Sequence, residues 1–257
     1  MTMALESLSP DVALLLFAVG ALAGLVDAIA GGGGLITVPA IIWTGLGPVE
    51  VLATNKLQGT FGTLTSSLNF WHKGKVALGT AWPAVICTFF GAAAGTLWVQ
   101  HLSPEFLARL IPLLLIAFAL YFLFSPRVGD LDAHHRVGKW TFAVLVGCGV
   151  GFYDGFFGPG TGTFFAVAYV ALLGYNLRRA TAHTKLLNFT SNLASLSFFL
   201  IGGHVVWPIG LAMAGGQLLG AWVGSHLVLR HGVRLVRPLL VLVSLAVSVK
   251  LLLDQVR

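Results

Sequence analysis

Two acids, Asp27 and Asp154, and two lysines, Lys56 and Lys185, stand inside strongly apolar sequence in this chain. Each acid is followed a few residues later by a glycine-rich break, Gly31-Gly32-Gly33-Gly34 after Asp27 and Gly158-Pro159-Gly160-Thr161-Gly162 after Asp154. A charge at membrane depth is costly and marks the path of a substrate or an ion. Runs of glycine and proline do not hold as helix interior. The helix that restarts after such a break presents free N–H groups and a positive dipole end, which receives anions. Two lysines and two such helix starts make a positive cavity, so the expected ligand is a small anion.

The expected site follows from this chemistry. Lys56 and Lys185 attract the anion, and Thr54, Asn55, Gln58, His183, Thr184 and Asn188 hydrogen-bond it. Gly32, Gly33, Gly34, Gly160 and Thr161 supply backbone donors. On a helix, Asn55, Lys56, Gln58, Thr60 and Thr63 share one broad face, which in a membrane lines a cavity or bonds a neighbour. Snorkelling to the interface is the plain alternative for the lysines. Two readings stand for Asp27 and Asp154. Each carboxylate carries a coupling proton or cation, or it ties down broken-helix N–H groups or pairs with Lys56 or Lys185. The readings compete, because an acid paired with a lysine weakens an anion site. His183 takes the place of Thr54 and either donates to the anion or titrates near neutral pH. No metal site, cofactor or enzymatic dyad is expected: His134-His135 are adjacent in a polar linker, and Cys87 and Cys148 read as apolar fillers.

Composition sets where these groups must sit. Of 257 residues, 57% are hydrophobic and 9% charged, and mean hydropathy is +0.90. Soluble domains carry roughly 25% charged residues, so most of this surface is expected to face lipid. The net charge of +6 belongs to loops and is no nucleic-acid signal. Met1 to Pro10 lacks a positive region, so the first apolar run is expected to remain a membrane segment.

Apolar runs recur at residues 12–30, 35–46, 52–71, 77–99 and 104–125, then, after a polar linker at 126–138, at 140–157, 161–174, 180–201, 205–229 and 233–253. The second and seventh are short for a crossing of roughly 20 residues, and read as broken or re-entrant arms. The expected architecture is an all-α polytopic membrane protein of about eight to ten membrane segments. It divides into an N-terminal repeat, 1–125, and a C-terminal repeat, 139–257. A shift of 129 takes Ala53, Lys56 and Gly74 onto Ala182, Lys185 and Gly203. A shift of 127 takes Gly24, Asp27 and Gly31 onto Gly151, Asp154 and Gly158, and one of 125 takes Trp82-Pro83 onto Trp207-Pro208.

Five segments per repeat is an odd number, so the second copy is expected upside down. With the N-terminus outside, Lys73 and Lys75, the linker with Arg127 and Arg136, Arg178 and Arg179, and Arg230, Arg234 and Arg237 all fall on the inner side, with Arg109, Lys250 and Arg257 as exceptions, as the positive-inside rule asks at the major loops. Both termini are then external. Inverted repeats with interrupted helices are the signature of secondary transporters. Small-xxx-small spacing at Gly91/Gly95 and Gly216/Gly220/Gly224 fits either internal packing or a homodimer.

The pattern Gly24-x-x-Asp27, Gly31 to Gly34, Pro39, Ala53-Thr54-Asn55, repeated as Gly151-x-x-Asp154, Gly158 to Gly162 and Ala182-His183-Thr184-Lys185, resembles the TauE/SafE sulfite exporter family over essentially the whole chain. The second copy departs from the first, with Thr161 for the fourth glycine and Ala166 in the place of Pro39. The resemblance implies transport of a small organic or sulfur-containing anion (sulfite, sulfonate, sulfoacetate or thiosulfate) across the bacterial inner membrane. An anion channel of the same architecture, and a cation-coupled importer of a neutral solute using Asp27 and Asp154, are the alternatives.

Overall fold

In lipid every backbone polar group must be satisfied within the protein, and apolar runs of this length achieve that as helices. A computed structural model describes residues 8–124 and 136–231; residues 126–135 of the linker, the run 233–253 and both termini lie outside the described residues. Within them the chain is helical, with no strand.

Helix α1 spans Pro10–Ala30, capped by Ser9, whose side chain accepts from the Val12 N–H. It stops at Gly31, whose φ of 82° is open to glycine at little cost. The chain re-enters helix as α2, Gly34–Trp43. Pro48 then opens α3, Pro48–His72, followed by α4, Leu78–Gln100, and α5, Pro104–Phe124. The second half begins with α6, Lys139–Phe142, continues through a π-helical stretch, Ala143–Cys148, and runs on as α7, Gly149–Phe156. After the break at residues 157–160, where Gly158 and Gly160 have φ of 100° and 88°, come α8, Thr161–Leu173, α9, Leu177–Ile201, and α10, Trp207–His231. Both glycine-rich breaks therefore interrupt helix where the sequence places them.

The halves exchange partners. Helix α1 packs along α10, and α4 packs along the π stretch and α7. Each of these contacts joins a helix of residues 8–124 to one of residues 136–231. Glycine makes these contacts possible. A Cβ on Gly224 would sit 2.6 Å from the Leu25 carbonyl oxygen, and one on Gly151 would sit 2.8 Å from that of Thr88. Gly91 and Gly95 face Cys148 and Phe152, while Gly216 and Gly220 face Phe17 and Ala21. The small-residue faces are thus used inside the chain.

Helices α3 and α9 pack against each other between these two pairs, and their inward faces are polar: Asn55, Lys56, Gln58, Thr60, Thr63, Ser66 and Ser67 on one, His183, Thr184, Lys185, Asn188, Thr190, Ser191 and Ser195 on the other, all buried. The outside is apolar. Leu14, Phe90, Leu113, Leu145 and Ile201 are 64–82% exposed, the inverse of a soluble surface. By length and hydropathy α1 and α4 each suffice to cross a bilayer, with mean hydropathy of 2.4 and 1.5.

Candidate functional site

The two breaks and the two polar helices meet at one place. Lys56, on α3, reaches across to the other half and pairs with Asp154 on α7, Nζ to Oδ1 at 2.8 Å. Lys185, on α9, reaches back and pairs with Asp27 on α1, Nζ to Oδ2 at 3.0 Å, and also donates to the Asp27 carbonyl. Both lysines are buried, 1% exposed. Neither snorkels to an interface. The shift of 129 that takes Lys56 onto Lys185, and the shift of 127 that takes Asp27 onto Asp154, make these two contacts counterparts.

The two pairs are not equally tied. The Asp154 carboxylate also accepts from the Thr161 hydroxyl at 2.9 Å and from the Ser191 hydroxyl. A carboxylate needs such donors when buried, because removal from water must be offset by pairing and hydrogen bonds. Asp27 has a weaker second partner, the Gly33 N–H at 3.4 Å, and its side chain is 16% exposed against 4% for Asp154. Sequence explains the difference. Ser191 corresponds to Gly62 and Thr161 to Gly34, so the first half has no hydroxyl at either place.

A small cavity lies between the pairs. Its wall includes Asp27 and Asp154, Lys56, Gly31, Gly33 and Gly34 of the first break and Gly158, Gly160 and Gly162 of the second, the amides Asn55, Gln58, Asn188, Asn192 and Gln217, and Thr63 and Thr161. Of the expected binding residues, Asn55, Lys56, Gln58, Asn188, Gly33, Gly34, Gly160 and Thr161 line it. Asn55 and Gln58 are held in register by Thr37 of α2: the Thr37 hydroxyl donates to Asn55 Oδ1, which also accepts from Gln58 Nε2 at 2.8 Å. Asn192 accepts from Lys56 at 3.1 Å. The N–H groups of Gly34 and Gly162, in the first turns of α2 and α8, have no backbone acceptor among the described residues, and both residues face the cavity. Donors from helix starts, an ammonium and side-chain amides thus converge on one space.

Several expected residues lie elsewhere. Thr54 accepts through Oγ1 from the Val206 N–H at 3.2 Å, and His183 accepts through Nε2 from the Ala77 N–H at 3.3 Å. Val206 and Ala77 stand just before α10 and α4, where helix N–H groups lack partners. Each residue therefore serves the opening of a helix in the opposite half, and His183 packs between Tyr169 and Tyr175 rather than toward an anion. Its Nδ1 lies 2.9 Å from the Arg179 carbonyl, which makes Nδ1 the donor and Nε2 the acceptor. Thr184 is buried outside the cavity wall, Lys185 is spent on Asp27, and Gly32 is not part of the wall. The cause is rotational: on α3 and α9 only one face looks at the cavity, and positions 54, 183 and 184 are turned toward neighbouring helices. Thr37 and Gln217 were missed. Gln217 is a lone amide in the apolar run 205–229, and its isolation was the available signal.

Comparison with known proteins agrees with this architecture. The profile of the family described as sulfite exporter TauE/SafE matches residues 16–251. A probable membrane transporter protein of Haemophilus influenzae is 46% identical over 245 residues, covering 95% of this chain and 96% of that protein. The probable membrane transporter protein YfcA of Escherichia coli is 46% identical over 246 residues, covering 96% and 91%. A more distant relative, YunE of Bacillus subtilis, also named a probable membrane transporter protein, is 23% identical over 243 residues, covering 83% and 86%. No solved structure matches the chain significantly. A chain helical throughout its described residues, with an apolar exterior, buried cross-paired charges and this match along nearly its whole length, is a membrane protein belonging to the sulfite exporter TauE/SafE family.

Proposed function

We propose that the chain is a secondary transporter that moves a small sulfur-containing or organic anion across the bacterial inner membrane by alternating access, with the cavity between the two ion pairs as its binding site. The observation that carries the reading is Lys56: a fully buried ammonium in the cavity wall, surrounded by amides and by the open N–H groups of two helix starts. The cavity measures about 40 Å³. A water takes roughly 10–15 Å³ on that measure, so the space suits a few waters or one oxyanion of sulfite size, and is too small for an aromatic sulfonate in this conformation.

With all four ionised, Asp27, Lys56, Asp154 and Lys185 cancel. An entering anion competes with Asp154 for Lys56, and the displaced carboxylate then needs a proton or a cation. That ties substrate binding to a coupling ion at Asp154 or Asp27. The reciprocal contacts support an inverted-repeat arrangement. Lys56–Asp154 mirrors Lys185–Asp27, and the Thr54 contact with Val206 mirrors the His183 contact with Ala77. Such a pair of equivalent halves can exchange inward- and outward-facing states by rocking about the site.

The test is flux of radiolabelled sulfite in proteoliposomes. Saturable uptake that accelerates with unlabelled sulfite on the far side marks a carrier. Lys56→Ala and Lys185→Ala are each expected to abolish it, with a folded Lys56→Met/Asp154→Leu double variant equally inactive as the control for stability. Normal uptake by both single variants removes the assignment. Conductance without saturation or exchange identifies the channel alternative instead.

A further inference from the structure

We infer that Gln217 of α10 is a substrate-contact residue of the central cavity, its amide N–H₂ donating to an oxygen of the bound oxyanion. This rests on the transport reading above and deepens it. Gln217 is 3% exposed and lines the cavity. Among the described residues its amide has no hydrogen-bond partner, in contrast to Asn55 and Asn192 beside it. A buried amide left unpaired is destabilising, and Gln217 stands in the apolar stretch 207–224 of α10, which packs on α1 and α3. An apolar residue here would serve packing better.

The surroundings are shaped to seat it. A Cβ on Gly24 of α1 would lie 2.7 Å from Gln217 Oε1, and one on Gly62 of α3 would collide with the same atom. Two neighbouring helices thus keep glycine where the amide oxygen rests. The oxygen rests against these two backbones, and the amide nitrogen is the donor the side chain can offer the cavity. The counterpart in the other half, at the shift of 125, is Ala92, so the amide has no twin and makes the site one-sided. The class of ligand is set by what the amide meets there: Lys56 and the N–H groups of Gly34 and Gly162 are also donors, and a compact oxyanion accepts from all of them at once.

The experiment uses the full-length purified protein, with sulfite as the probe. Gln217→Leu, and Gln217→Met as a second apolar variant of similar length, are compared with wild type for sulfite half-saturation in counterflow and for Tm in detergent. The expected result is a rise in half-saturation of at least about tenfold, the loss of one hydrogen bond to a charged ligand, together with a Tm equal to or above wild type. A structural amide gives the opposite pattern, so a lower Tm in both variants overturns the inference. Unchanged half-saturation in either folded variant also overturns it while leaving the transport reading intact. Absence of sulfite counterflow in the wild type itself overturns both.

Discussion

Replacing Lys56 by methionine tests the energetic logic of the site. Methionine keeps the length of the side chain and removes the charge. The Asp154 carboxylate, 4% exposed, then loses its 2.8 Å ammonium partner and keeps only the hydroxyls of Thr161 and Ser191. Breaking one side of a buried pair costs about 3–5 kcal/mol, because an uncompensated buried charge remains. Replacing both partners by apolar groups is often neutral or stabilising. Lys56→Met should therefore lose about 3–5 kcal/mol, and Lys56→Met/Asp154→Leu should recover most of it. The counterpart Lys185→Met should lose less, about 1–3 kcal/mol, since Asp27 is 16% exposed and is reached from the cavity. Reversible unfolding in mixed micelles, followed by tryptophan fluorescence, gives all four values. If Lys56→Met is as stable as wild type, or the double variant is no better than the single, the pair does not compensate a buried charge and the reasoning fails.

Further outcomes follow from the breaks, the helix openings and the cavity. Gly31→Ala puts a side chain at φ 82° and 2.6 Å from the Gly162 backbone; left-handed strain of roughly 1–2 kcal/mol and overpacking of about 1–3 kcal/mol add, so folded yield and Tm should both drop. His183→Thr installs the residue that occupies the equivalent position, Thr54, and should keep the bond to the Ala77 N–H, whereas His183→Val should lose it at about 0.5–2 kcal/mol and speed hydrogen exchange at the start of α4. Ser191→Gly copies the first half, where Gly62 stands, and removes a donor to Asp154; the expected cost is about 1–3 kcal/mol, read as a lower Tm. In flux assays, sulfite and ions of its size should compete with one another, and an excess of an aromatic sulfonate should leave sulfite uptake unchanged.

Much of the fold was legible in the sequence. Helix ends follow from local chemistry: Ser9 before Pro10, Gly47 before Pro48 and the glycine-rich breaks all act within a turn or two, so the observed elements sit within a few residues of the apolar runs. The recurrence of a lysine, an acid and two glycines at nearly constant shifts is read from the sequence without coordinates. The polar faces of α3 and α9 announced themselves by composition. Which of their residues reach the cavity did not. Helical rotation relative to neighbours is set by packing, and it turned Thr54 and His183 to the openings of α10 and α4 and left Asn55, Gln58 and Asn188 at the cavity.

The sequence by itself determined that charge is buried, that helix is interrupted twice, and that both features come in pairs, since each depends on residue type and short-range spacing. Only the tertiary structure decided that Lys56 meets Asp154 and Lys185 meets Asp27. Those partners are 98 and 158 residues apart, and their meeting depends on how α3 and α9 pack between the two outer helix pairs. That packing is held by glycine contacts between halves, whose small-xxx-small spacing announces a close contact and not its partner. It also decided that each lysine faces a carboxylate, which changes the expected positive hollow into a pair of ion pairs.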